Sequence, residues 1–227
     1  METHFSNLSL FVPDLLSRRM LDLGSGRGKF LVDIAKRGGT VVGCEKSPDY
    51  IVKSRIRLRD EGLDVEVVPG AGEALPFADA SFGFINMSEV VEHVSDPEAV
   101  LRETFRVLSK GGAMYVSAPS RYSMRDPHFH LYGVNWLPRK YSGAFVALFG
   151  KTKIHNGEAG GQSLEDMHYF TKEEFETLAR SIGFEVRDTR LEKIAGFAEP
   201  KQVVYRTLYT LMHPWYFDAY HFICVKP

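Results

Sequence analysis

Short apolar runs alternate along this chain with stretches of helical period, the pattern of a mostly parallel sheet built from βαβ units. Residues 19–23, 40–44, 64–68, 82–87 and 113–118 read as strands. Between them, 28–37 and 48–61 read as helices. The segment 96–109 is bounded most sharply, with Asp96 as cap, Pro97 in the first turn and Gly111-Gly112 as terminator. Its Val100, Leu101, Thr104, Phe105 and Leu108 fall on one face. A further helix begins at Thr171, where Thr171 and Glu174 fit a capping box, and ends before Gly183. Strand 184–189 would follow, and the run His221–Val225 would close the sheet. The expectation is an α/β fold, a Rossmann-like seven-stranded mostly parallel sheet with helices on both faces.

Two stretches break this rhythm. Residues 120–165 follow the fifth strand with prolines and glycines in irregular order instead of an immediate helix, which reads as a lid or substrate insertion. Residues 203–217 read as an apolar-aromatic helix, so about 193–218 form a second small insertion before the last strand. Residues 121–155 hold Arg121, Arg125, Arg139, Lys140, Lys151 and Lys153 against one acid, Asp126, together with seven aromatics. With both insertions included, 1–227 is expected to be a single domain, within the usual size for one α/β unit.

Composition adds exclusions. At 44% hydrophobic and 25% charged residues with a net charge of -1, the chain is an ordinary globular protein, and global charge gives no sign of a polyanionic partner. No apolar run approaches the roughly 18 residues of a membrane span, and the segment through Arg19 lacks a leader pattern. The expected location is cytoplasmic. Cys44 and Cys224 sit in apolar strand-like stretches without a CxxC partner and read as buried reduced thiols.

The candidate chemistry starts at Met20-Leu21-Asp22-Leu23, which leads into Gly24-Ser25-Gly26-Arg27-Gly28 and a helix-like segment from Lys29. Strand, glycine turn, helix is a nucleotide-binding arrangement, and Glu45 follows the second strand about 20 residues beyond the first glycine, where a ribose-binding carboxylate belongs. Lys29 stands where the dinucleotide fingerprint wants its third glycine. Asp22 just before the loop would repel a pyrophosphate and attract an ammonium group. No GxxxxGK[ST] run exists, which excludes a Walker loop.

These residues resemble class I S-adenosylmethionine-dependent methyltransferases. The resemblance continues through Gly72-Glu73-Ala74-Leu75-Pro76-Phe77, Ser81-Phe82, Glu89-Val90-Val91-Glu92-His93-Val94 and Arg106-Val107-Leu108-Ser109-Lys110-Gly111-Gly112, spanning about residues 20–118. It implies S-adenosylmethionine as cofactor. Asp22, Gly24, Ser25, Gly26 and Gly28 would hold its methionyl part, Glu45 with the adjoining Lys46 its ribose, Ala71, Gly72 and Glu73 its adenine, and Ser88 would border the site. Two departures stand out: Ala71 and Gly83 occupy positions where relatives often carry Asp.

His93, just past the fourth strand, is the leading candidate for a general base, since ligands bind at the carboxyl ends of such strands and an imidazole titrates near neutral pH. The competing reading has it capping or packing against the next helix. Glu89, Glu92 and His93 form an ExxEH cluster like that of ubiquinone-pathway and small-RNA 2′-O-methyltransferases, in which a metal binds acceptor hydroxyls. A divalent metal is therefore an option, though not the favoured one, with a further ligand unassigned among His128, His130, His155 and His168. In the lid, His128 and His130 would face the pocket together if the segment is extended. With Trp136 they form the substrate-binding set; Trp136, Tyr132 and Phe129 read equally as the lid's own core.

The favoured function is O-methylation of a small molecule, acidic or amphiphilic given the basic lid and the apolar runs Phe145–Phe149 and Trp215–Phe217. A nucleic acid is the less favoured partner; peripheral membrane contact stays open. The alternatives are a metal-dependent RNA 2′-O-methyltransferase and a non-catalytic cofactor-binding scaffold.

Overall fold

The computed structural model describes residues 4–150 and 162–227. Seven strands, β1 (Met20–Leu23), β2 (Val41–Glu45), β3 (Val67–Pro69), β4 (Phe82–Met87), β5 (Leu108–Pro119), β6 (Glu185–Asp188) and β7 (Ala219–Val225), form one sheet in the order β3-β2-β1-β4-β5-β7-β6. β1 to β5 run parallel, whereas β7 is antiparallel to both its neighbours, β5 and β6. The seven-stranded α/β architecture expected from the alternation is therefore present. The chain order reverses at β1 and β4, which places a crevice at their carboxyl ends.

The helices are α1 (His4–Ser9), α2 (Lys29–Lys36), α3 (Pro48–Asp60), α4 (Pro97–Val107), α5 (Arg139–Leu148), α6 (Lys172–Ile182), α7 (Thr189–Ala195) and α8 (Lys201–Tyr216). The caps read from the sequence close as expected. Asp96 accepts from Ala99 N at 3.0 Å with Pro97 in the first turn, and Thr171 and Glu174 exchange both bonds of a capping box. Gly183 ends α6 at φ 118°.

One boundary differs from expectation. Gly111-Gly112 do not terminate α4: the helix stops at Val107 and passes straight into β5 at Leu108. Leu108 pairs with Phe82 and Ala113 with Phe84, so five residues of β5 advance against two of β4, and the glycine pair sits in that bulge with Gly111 at φ 72°. The lid also holds more regular structure than its prolines and glycines suggest: a 3-10 turn at Val134–Trp136 and then α5.

Each face of the sheet carries its own apolar layer. One joins Leu21, Ile85 and Val116 to Val100 and Leu101 of α4 and Phe175 of α6, whose ring stacks on Phe222 with centroids 4.8 Å apart. The other joins Met20 and Phe84 to Leu8, Leu31, Ile34 and Ile51. Each such fully buried side chain contributes about 1.5–3 kcal/mol. A third cluster, Phe129, Leu131, Val134, Val146, Leu164, Met167 and Tyr169, is the core of the lid itself. Cys44 and Cys224 are buried and unbridged, and burial raises the Cys44 thiol to about 12.

Candidate active site

The glycine loop is shaped by left-handed backbone. Gly24, Gly26 and Gly28 have φ of 70°, 50° and 73°. At Gly24 a Cβ would also lie 2.5 Å from Val90 Cγ2, so only glycine lets the segment after β4 close onto the loop. Gly26 differs, because a Cβ there would meet only Gly24 O at 3.9 Å and would point into open space.

Glu45, at the end of β2, is buried. One carboxylate oxygen accepts from Gly26 N and the other from Ser47 N, both at 2.9 Å. Each oxygen retains a lone pair after that bond. Glu45 thus orients the loop and keeps acceptor capacity for a pair of hydroxyls. Lys46 beside it is exposed, and Ser25 is buried beneath the loop.

Asp22 lies under the loop at 3% exposure, and Asn86 Nδ2 donates to its Oδ1 at 2.7 Å. Burial raises its carboxyl to about 7 against the lowering influence of Asn86, with Glu45 adding repulsion. His4 Nε2 lies 2.9 Å from Asn86 Oδ1, and the His4 ring meets Phe30 and Tyr115 edge-on at 5.5 and 5.0 Å. Asn86 and His4 escaped the sequence reading. A polar residue inside the apolar strand Phe82–Met87 was the available signal for Asn86; His4 had none.

After β3, Ala71 is exposed and Gly72 buried, while Glu73 accepts from Ser95 N at 2.9 Å. Glu73 therefore ties this loop to the segment before α4. Ser88 follows β4 directly and is half-buried.

Glu92, His93 and His128 come together, with their ligating atoms within 4.8 Å of one another. Glu92 is fully buried, neither of its carboxylate oxygens receives a hydrogen bond from the described residues, and His128 Nε2 and His93 Nε2 stand 3.6 and 3.9 Å from its Oε1. His93 Nδ1 lies 3.0 Å from Gln162 Oε1, and Gln162 Nε2 donates back to His93 O at 2.8 Å. His128 is held from behind: Asp126, fully buried, accepts from His128 N and Phe129 N through Oδ1 and from Tyr169 OH through Oδ2. Gln162, Asp126 and Tyr169 were not singled out in the sequence because their roles depend on contacts across the lid.

The grouping differs from the expected one in three respects. Glu89 is exposed, with φ 57°, and takes no part among the described residues. His130 does not share a side with His128, since 126–130 is a tight turn, with His130 N donating to Asp126 O and φ 58° at His130, rather than an extended segment. Trp136 stands 51% exposed, its Nε1 donating to Tyr122 O, on the outer surface of the lid. His168 is exposed and His155 lies outside the described residues.

A reversing, mostly parallel sheet with a glycine turn after β1 and an acid at the end of β2 is a Rossmann-like arrangement. Comparison with known proteins agrees: residues 21–116 match the family described as a methyltransferase domain. A ubiquinone biosynthesis O-methyltransferase of Brucella anthropi is 32% identical over 125 residues, 53% of this chain and 50% of that protein. The one from Ruegeria pomeroyi is 34% identical over the same shares. The chain thus spans about half the length of the curated relatives it matches. A methyltransferase structure from Methanosarcina mazei superposes at a TM-score of 0.62 with 21% identity, covering 95% of this chain and 96% of that one. The family match is confined to residues 21–116, which are similar to a methyltransferase domain, and the solved structure shares the fold of the chain.

Proposed function

We propose that this protein is an S-adenosylmethionine-dependent O-methyltransferase of a small acidic or amphiphilic acceptor, that the whole chain forms one methyltransferase domain, and that it works in the cytoplasm. The observation that carries the reading is the Gly24–Gly28 bend at the end of β1, cross-braced by the Glu45 carboxylate. When bound, the cofactor supplies a methyl group made electrophilic by a sulfonium. Glu45 would take the ribose hydroxyls, the backbone of Ala71 and Gly72 the adenine edge, and the loop amides the methionyl carboxylate. Asp22 acts from beneath as a buried counter-charge for the ammonium.

Val90, which packs on Gly24, and His93 belong to the same turn after β4, so the acceptor side adjoins the donor side. Gln162 Oε1 at Nδ1 favours the tautomer with its proton there, leaving Nε2 as the basic nitrogen. His93 would remove the acceptor's hydroxyl proton, with Glu92 stabilising the imidazolium. Much of the remaining acceleration comes from alignment. Among the described lid residues, His128 would touch the acceptor. The resemblance to ubiquinone-pathway enzymes supports oxygen as the atom methylated.

A second reading has one specific observation behind it, the buried Glu92 carboxylate that receives no hydrogen bond from the described residues. One carboxylate and two imidazoles suit a borderline divalent cation, so Glu92, His93 and His128 would hold one, and it would acidify the acceptor hydroxyl. Calorimetry with S-adenosylhomocysteine, and labelled-donor transfer to a metabolite extract with and without chelator, test both readings. Binding lost in Gly26→Arg and chelator-insensitive transfer support the first. Chelator-sensitive transfer selects the second. Normal binding in Gly26→Arg, or no transfer to any component, refutes the proposal.

A further inference from the structure

We propose that the outer face of α8 and the adjoining rim of the lid form a docking surface for an anionic lipid bilayer. A helix on a globular protein normally turns its apolar stripe inward. Along α8 the arrangement is inverted. Its buried residue is Tyr209, whose hydroxyl donates to Asp188 Oδ2 at 2.6 Å, and Gln202 and His213 on the same side are half-buried. Val204, Leu208, Leu211 and Trp215, spaced four, three and four apart, form one stripe on the opposite side and are 48–67% exposed.

The stripe does not end with the helix. The Trp215 ring meets Trp136 edge-on at 6.1 Å and lies 6.3 Å from Tyr122, and Met124 N donates to Trp215 O at 2.7 Å. Tyr122, Met124 and Trp136 are themselves 42–51% exposed, so apolar surface continues from α8 onto the lid that carries His128. A continuous apolar surface of this kind on a single chain marks an interaction site.

Charge decides the occupant. Residues 201–216 contain Lys201 and Arg206 and no acid, and both basic residues are exposed. The described lid adds Arg125 and Lys140, also exposed, and one exposed acid, Glu165, whose carboxylate accepts from Gly143 N, while its Asp126 is fully buried. The whole chain carries a net charge of -1, so this positive fringe is local. A second copy docking by two-fold symmetry would set two basic fringes against each other. A nucleic acid would find phosphate partners and rings at Trp136, Trp215 and Tyr122, but the aliphatic Val204, Leu208 and Leu211 that continue the stripe along α8 offer its bases nothing to stack on. A bilayer with anionic headgroups satisfies both components: Trp and Tyr seat at the headgroup level, aliphatic side chains enter the acyl boundary, and Lys and Arg pair with phosphate.

The inference is independent of the donor site, and so is its test. The two tryptophans of the chain, Trp136 and Trp215, both lie on this surface, so intrinsic emission reports on it directly. The full chain is mixed with vesicles of phosphatidylcholine alone, or with phosphatidylglycerol as about a third of the lipid. The expected result is a blue shift and co-sedimentation with the anionic vesicles, at least about tenfold weaker on neutral ones and weakened by salt. Leu208→Ser with Leu211→Ser, and separately Lys201→Gln with Arg206→Gln, should each reduce vesicle binding about tenfold or more while S-adenosylhomocysteine binding is retained. Unchanged emission and no sedimentation on anionic vesicles would overturn the inference. So would a solution dimer that the leucine variants convert to a monomer.

Discussion

Replacing Asp22 by Asn tests the electrostatic logic of the donor site most directly. The Asp22 carboxyl is raised to about 7 because it is buried at 3% exposure with Asn86 as donor and Glu45 as a second negative group. A ligand ammonium above it would favour the ionised form. If only ionised Asp22 supports binding, about a tenth of the protein is competent one pH unit below that value and about nine-tenths one unit above, so affinity should rise roughly tenfold from pH 6 to pH 8. S-adenosylhomocysteine shares the ammonium and lacks the sulfonium, so it should show the same slope. Calorimetry in buffers of different ionisation enthalpy should detect about half a proton released per ligand near pH 7. Asp22→Asn should abolish the proton release and the slope, and weaken binding at pH 8 by about one to two orders of magnitude, or about 1.4–2.8 kcal/mol. Stability moves the other way. The folded carboxyl holds its proton from about pH 4 to 7 while the unfolded one does not, so stability of the ligand-free protein falls as pH rises across that window, by up to about 4 kcal/mol. Asp22→Asn should therefore raise the melting temperature at pH 8 more than at pH 4. A pH-independent wild-type affinity without proton release would refute the reasoning.

Other predictions concern the loop, the buried acid and the sheet. Gly24→Ala places a methyl group against Val90 in left-handed backbone, so thermal unfolding should show a loss of about 1–3 kcal/mol, and calorimetry no S-adenosylhomocysteine binding. Glu92→Gln removes a buried carboxylate without hydrogen bonds and should leave the ligand-free protein at least as stable, by about 1 kcal/mol or more, while methyl transfer falls on the order of 100-fold; a destabilised but active variant would contradict the site. His221 is lowered to about 4, chiefly by burial and then by Arg190. Between that value and 6.5 the unfolded chain binds more protons, and stability should drop by about 2 kcal/mol as pH falls through the window, a limb that His221→Gln flattens in denaturant titrations. Thr171→Ala removes one half of the α6 capping box and should cost about 1 kcal/mol in the same titrations.

The proposed donor side was legible because its signals are local. Periodicity, the Asp96 and Thr171 caps and the glycine spacing each act within a few residues, and β1, α2, β2, α4 and α6 appear where those signals put them. The grouping of Glu92, His93 and His128 was not, because its geometry depends on residues distant in sequence. His128 joins Glu92 only because Asp126, anchored by Tyr169, winds 126–130 into a turn that separates His128 from His130. Glu89 fits the ExxEH spacing equally well in sequence, yet its backbone conformation leaves it outside the cluster. The Gly111-Gly112 pair misled for a related reason: a bulge within a strand and the end of a helix call on the same conformational freedom.

Strand β7 bonds on one side to β5 and on the other to β6, both of which precede it in the chain. During translation those two strands therefore wait with bare edges, and Phe175 lacks its stacking partner Phe222, until residues 219–225 clear the ribosome. A nascent chain arrested before Ala219 should resemble a ligand for chaperones more than a folding intermediate.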